Sequence, residues 1–241
     1  MIVLSIGTSH PWNVAGTGRD IIVGARLGAR VFSAIAAVSA QDAHGVRALH
    51  PLPAGELREQ LAVLPWDSAG SARVGALGTA ENVLAVAAAL RTRPSLDVVV
   101  DPVFTASRGG RLYDAEAERA IAGELGRLPN VILTPNLAEA SALLGVESVT
   151  RETIAGAALG LQQRGVRAVL LKGGHLEGDP VDALATASGV ELFSEPRIAG
   201  EMHGTGCTLA MVLACELAAG TPLQHAVVAA RAFVRAEIAR H

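Results

Sequence analysis

Short runs of Val, Ile and Leu alternate along this chain with Ala-rich stretches whose apolar residues recur at helical spacing. The short runs predict strands at 2–6 (IVLSI), 30–38 (RVFSAIAAV), 72–77 (ARVGAL), 96–101 (LDVVVD), 131–134 (VILT) and 167–172 (RAVLLK). The Ala-rich stretches predict helices at about 17–28, 54–64, 80–92, 114–127, 136–144 and 151–164. Continuous apolar strands joined by amphipathic helices imply a mostly parallel sheet covered on both faces. Near the end, DALAT (182–186) and VELFS (190–194) flank ASG and predict an antiparallel hairpin, followed by helices at 205–219 and about 222–239. The expected fold is α/β, a three-layer αβα arrangement. With no internal repeat, low-complexity tract or linker, it forms one domain over residues 1–241.

Ligands of open α/β sheets bind beyond the carboxyl ends of the strands. The residues predicted there are polar or small: Gly7 and its successors Thr8 and Ser9, Gln41, the GALG of 75–78, Asp101-Pro102, Thr134-Pro135-Asn136, and Lys172-Gly173-Gly174-His175. One edge of the sheet is therefore the expected active site.

The segment HGTGC, His203 to Cys207, stands where the 205–219 helix begins. Gly204 and Gly206 let backbone turn tightly and approach a ligand with no Cβ in the way. The free N–H groups of the helix start, with the positive end of its dipole, suit a phosphoryl group in transit. A thiol there is expected to have a depressed pKa, so Cys207 can serve as base or nucleophile. The alternative is a Thr205 cap with Cys207 as small filler. Asp101, after three valines, suits Mg²⁺ beside a phosphate, or else merely starts an Asp-Pro turn. Asn136 and Glu139 have the spacing of a capping box, and the same spacing can aim both at a hydrated metal. Lys172, ending an apolar strand before two glycines, suits a phosphate contact. Gln41 and Asp20, taken alone, read as ordinary surface polar residues.

Composition removes several other functions. A net charge of -3, with two Trp, one Tyr and four Phe in 241 residues, gives neither the field nor the rings for nucleic acid. The opening MIVLSIG is too short for a signal peptide or a membrane span, so a cytoplasmic protein without membrane attachment is expected. Cys207 and Cys215 lie on one predicted helix at roughly 12 Å, beyond the roughly 4.4–6.8 Å of a disulfide, which agrees with a reducing compartment. GTG occurs at 16–18 and 204–206, but Ile21 and Leu209 stand where a dinucleotide fingerprint needs its third glycine or alanine. That reading is rejected.

Taken together, VVVDPVFTASRGGRL (98–112), LTPNLAEASALLG (133–145), VLLKGGHLEGDPVDAL (169–184) and HGTGCTLAMVLACELAAG (203–220) resemble the hydroxymethylpyrimidine/phosphomethylpyrimidine kinases of the ribokinase-like superfamily. VSAQDAHGV (38–46) matches more loosely, and coverage runs over nearly the whole chain. The resemblance implies ATP- and Mg²⁺-dependent phosphorylation of hydroxymethylpyrimidine, its monophosphate, or both, in thiamine biosynthesis. The substrate class is a small heteroaromatic alcohol. By position it makes Cys207 the catalytic residue, beside an anion hole formed by the backbone of Gly204, Thr205, Gly206 and Cys207. Lys172 would contact ATP phosphates, with Gly173, Gly174 and the region after Thr205 along the nucleotide. Asp101, Asn136 and Glu139 would organise Mg²⁺ and its waters. Gln41 would bond the pyrimidine and Asp20 would approach the substrate hydroxyl. Pyridoxal kinase, which shares the cysteine, is the alternative enzyme; a degenerate kinase fold kept as a ligand sensor is the alternative from another class.

The departures from the family pattern fall on the acceptor side. Its first loop reads like G-S/T-D-P-S-G-G-A-G-I-Q-A-D, whereas here GTSHPWNVAGTGRD (7–20) is one residue longer and lacks the early Asp. Trp12, Asn13 or Val14 replaces the paired glycines, and Ala76 replaces the methionine of the family's KIGML segment. Trp12 would either stack on an aromatic substrate or plug the pocket, and Gly7 and Ala76 would line its walls. The resemblance also brings in a homodimer, although the sequence stops at His241 without the Gly-rich G-x-G-P tail that helps finish the site or the dimer.

Overall fold

In the computed structural model, which describes residues 1–42, 44–106, 109–200 and 202–240, nine strands form one sheet. They are β1 (Ile2–Ser9), β2 (Arg30–Asp42), β3 (Gly45–Pro51), β4 (Ser71–Val74), β5 (Asp97–Val100), β6 (Val131–Leu133), β7 (Ala168–Leu171), β8 (Val181–Thr186) and β9 (Gly189–Ser194). Their order across the sheet is β3-β2-β1-β4-β5-β6-β7-β8-β9. The run from β2 to β7 is parallel; β3 pairs antiparallel with β2, and β8 and β9 extend the other edge antiparallel.

Eight helices cover the sheet: α1 (Gly16–Arg26), α2 (Ala54–Ala62), α3 (Ala80–Arg91), α4 (Ala115–Gly123), α5 (Leu137–Leu144), α6 (Ile154–Gln162), α7 (Thr205–Ala218) and α8 (Leu223–Ile238). Alternate strand residues feed two separate cores. Val98 and Val100 join one core with Leu57, Val86, Ile121, Leu143 and Leu161 from α2 to α6. Val99 joins the other with Val23, Met211, Leu213 and Val227 from α1, α7 and α8. This is the expected three-layer αβα arrangement. The sequence pattern reads as it does because strands buried on both faces carry no polar alternation.

The expected strands and helices are present with ends displaced by a few residues, and the late hairpin is β8–β9 as read. The sequence reading missed β3. The second strand, expected over 30–38 and leading into Gln41, extends as β2 to Asp42, and β3 folds back on it, with Val38 opposite His50.

Candidate active site

Helix α7 begins on bare backbone. Gly204 is its N-cap, in the left-handed region at φ 79°, and no side chain caps the first turn. A side chain at Gly204 is impossible, because its Cβ would stand 2.0 Å from the Val14 carbonyl oxygen. The first loop is thus laid directly over the helix start. Thr205 is the first helical residue and not a cap. The amides that a Ser or Thr cap would ordinarily satisfy face the site without a side-chain partner.

Gly206 is where this helix meets the charged residues. A Cβ built on it would lie 3.2 Å from Lys172 Nζ and 3.8 and 3.9 Å from the two Asp101 carboxylate oxygens. Lys172, just past β7, donates from Nζ to Asp101 Oδ1 at 2.7 Å. Asp101, just past β5, is fully buried and takes Arg73 Nη2 on its other oxygen at 3.0 Å. Burial alone would raise the Asp101 pKa, but the charges of Lys172 and Arg73 overcome it and hold the carboxyl below its usual range. Burial likewise works against the Lys172 ammonium, yet Asp101 and Glu139 keep its pKa raised.

Asn136 and Glu139 form the capping box of α5. Asn136 Oδ1 accepts from the Glu139 N–H at 2.9 Å, and Glu139 Oε2 accepts from the Asn136 N–H at 2.7 Å. Burial pushes the Glu139 carboxyl up to about 7, with Lys172 opposing and Asp101 adding to the shift. The capping-box reading is the one present, and it fixes a carboxylate whose charge acts on Lys172. A cleft of about 340 Å³ opens beside them, lined by Phe104, Thr105, Arg111, Asn136 and Glu139 among others.

Two expectations are corrected here. The Cys207 thiol, 8 % exposed, has its pKa raised. Desolvation outweighs the Arg73 charge and the Gly16 amide hydrogen bond that favour the thiolate, so the helix start does not yield a low-pKa cysteine. Asp20 is not the surface residue it reads as: with no exposed surface, it accepts from Ser5 Oγ at 2.6 Å and from Arg73 Nη1 at 3.2 Å. Burial raises its pKa, against the opposing effects of Arg73 and Ser5.

The remaining candidates divide. Gln41 Nε2 stands 3.3 Å from His203 Nε2, which brings the far end of β2 to the start of α7. Gly7 and Ala76 are neighbours at the ends of β1 and β4, where Ala76 O accepts from Thr8 Oγ1 at 3.0 Å. Trp12 is 57 % exposed on the first loop. The Gly173 amide is already committed, donating to Asp182 Oδ1 at 2.8 Å, while Gly174 lies in open space. Arg73 is the residue that sequence reading missed. Its signal was an arginine inside an otherwise apolar strand, followed at Gly75 by a residue whose Cβ would meet Arg73 Nη1 at 2.3 Å.

An uncapped helix start over a buried lysine–carboxylate pair, at the strand ends of a three-layer αβα sheet, defines a ribokinase-like small-molecule kinase. The profile of one such family, described as phosphomethylpyrimidine kinase, matches residues 11–241, and the chain belongs to that family. It is 37% identical over 243 residues to the hydroxymethylpyrimidine/phosphomethylpyrimidine kinase of Haemophilus influenzae, covering 98% of this chain and 90% of that protein. It is also 37% identical over 239 residues to the thiamine biosynthesis bifunctional protein ThiED of Geobacter sulfurreducens, covering 98% of this chain but only 49% of that protein. Among solved structures, the phosphomethylpyrimidine kinase of Clostridium difficile superposes with a TM-score of 0.86 at 26% identity, covering 99% of each chain. The pyridoxal kinase of Staphylococcus aureus in complex with AMP-PCP and pyridoxal gives 0.87 at 26% identity, covering 99% of this chain and 87% of that one. Among the described residues no helix is long and apolar enough to cross a membrane.

Proposed function

We propose that this protein, as one kinase domain over residues 1–241, transfers the γ-phosphoryl group of ATP to the hydroxymethyl group of hydroxymethylpyrimidine or to its monophosphate, within thiamine biosynthesis in the cytoplasm. The observation that supports this reading is the meeting of the α7 start with the Lys172–Asp101 pair, where a Cβ on Gly206 would stand 3.2 Å from Lys172 Nζ. There the α7 amides and the Lys172 ammonium share the charge on the moving group, so catalysis is mainly positioning and electrostatic stabilisation. The unpaired Cys207 and Cys215 agree with a reducing compartment.

Cys207 would take the proton of the acceptor hydroxyl. Its resting thiol is protonated, so the thiolate must form first, and Arg73 is the fixed charge that favours it. Gln41 would read the heteroaromatic ring from its place beside His203.

Among the described residues there is no group of three or more His, Cys, Asp or Glu side chains able to cage a metal. Asp101, Glu139 and Asn136 are oxygen donors of the kind that suits Mg²⁺, with Asp101 now paired to Lys172 and Arg73 and the other two engaged in the α5 capping box. Those three residues would hold it, directly or through water, and bound there it would neutralise phosphate charge.

Pyridoxal phosphorylation is the second reading, favoured by the fold shared with the Staphylococcus aureus enzyme and by the loop at 7–20. A ligand sensor without turnover is the third. One acceptor panel decides: purified protein with ATP and Mg²⁺ is offered hydroxymethylpyrimidine, its monophosphate and pyridoxal, and ADP release is followed. Turnover with either pyrimidine supports the proposal; turnover with pyridoxal alone replaces it. Tight binding of one compound with no ADP release would make the protein a sensor.

A further inference from the structure

Asp182 on β8 is an acidic side chain that the reaction does not use, and it is 8 % exposed. Each of its oxygens has one partner. Oδ1 accepts the Gly173 N–H at 2.8 Å, and Oδ2 accepts Arg231 Nε from α8 at 2.8 Å. Arg231 is itself held in place: it donates to the Phe193 carbonyl at 3.3 Å, lies 3.4 Å from Glu195, and rests on the Phe193 ring at 5.4 Å.

The segment pinned in this way carries the lysine. Lys172 donates its own N–H to the Pro135 carbonyl at 2.8 Å, and the next N–H, that of Gly173, goes to Asp182. Gly173 also presses on β8, since its Cβ would stand 1.9 Å from the Val181 carbonyl oxygen. The backbone on both sides of Lys172 is therefore fixed, and its ammonium points at Asp101. A neutral acceptor would satisfy one amide as well. A buried carboxylate needs a cation to offset its lost hydration, and Arg231 supplies it.

We propose that Asp182, clamped by Arg231, is the positioning residue that sets the Lys172-Gly173-Gly174 turn and hence the affinity for nucleotide phosphates. This rests on the kinase reading above. It also ties α8, through Arg231, to the nucleotide site.

The test compares wild type with Asp182→Ala, Asp182→Asn and Arg231→Met, using equilibrium binding of ADP, steady-state kinetics and thermal denaturation. Losing a charge-assisted hydrogen bond at this turn should raise the Kd for ADP and the KM for ATP about tenfold in Asp182→Ala, with the acceptor KM within about twofold of wild type. Asp182→Asn, which keeps an oxygen for the Gly173 amide, should lie between the two. If Asp182→Ala does not fold, Asp182→Asn and Arg231→Met decide by the same split between substrates. Unchanged ADP affinity in the folded variants, or equal losses for both substrates, overturns the proposal. Wild-type protein that binds no ADP would overturn the kinase reading together with it.

Discussion

Gly206 and Lys172 are so close that a single carbon added to the glycine would stand 3.2 Å from the ammonium nitrogen. Alanine favours a helix over glycine, so Gly206→Ala should not loosen α7 and is expected to leave the melting temperature unchanged or slightly raised. The lysine or the phosphoryl group must give way instead. The contact asks for a shift of a few tenths of an ångström, short of the roughly 1 Å misplacement that costs about a hundredfold, so kcat/KM should fall by less, by roughly tenfold. A variant with full activity would remove the phosphoryl group from this gap.

Cys207→Ser should lower turnover by about a hundredfold or more, the usual range for a lost general base, while ADP binding stays near wild type. The sign of the thiol shift gives a second measurement. Because burial raises the Cys207 pKa above its ordinary 9.0, alkylation by iodoacetamide should be slow at neutral pH and climb only in alkali. Fast labelling of Cys207 at neutral pH would contradict the burial seen here.

Arg73 joins Asp20 to Asp101 inside the protein, 1% exposed. Arg73→Met strands Asp20 without a counter-charge and should cost about 3–5 kcal/mol in denaturant unfolding. Adding Asp20→Asn should recover part of that loss, because the two substitutions are coupled. Simple additivity would show that the pair does not interact.

Glu237 gathers Arg26, Arg240 and Arg19, tying the end of α8 to α1. Hydrogen bonding from Arg26, with the charges of all three, depresses its pKa from 4.5 to about 2. A depressed carboxyl contributes stability that is fully present above its unfolded value and lost as pH falls through the folded one. Stability should therefore drop between about pH 4.5 and about pH 2, and Glu237→Gln should flatten that part of the curve. An unchanged acid profile in the variant would assign the loss to other groups.

The parallel sheet was legible because strands such as 97–100 are apolar on both faces, and the motifs were legible because glycine, lysine and carboxylate fell at strand ends. What sequence could not supply was the balance of opposing effects on buried charges. The helix start favours a Cys207 thiolate, but desolvation is the larger influence and depends on packing from the 7–20 loop. Asp20 looked like a surface residue on α1 because the partner that draws it inward, Arg73, lies on β4. Strand β3 escaped notice because it packs at a sheet edge, where burial is partial and hydropathy is weak.

The start of α7 carries no capping side chain. Any attempt to make this protein more heat-resistant by the usual remedy, a serine or aspartate at Gly204, would collide with the Val14 carbonyl. Robustness must come from elsewhere, at helix starts whose backbone leaves space for a capping side chain.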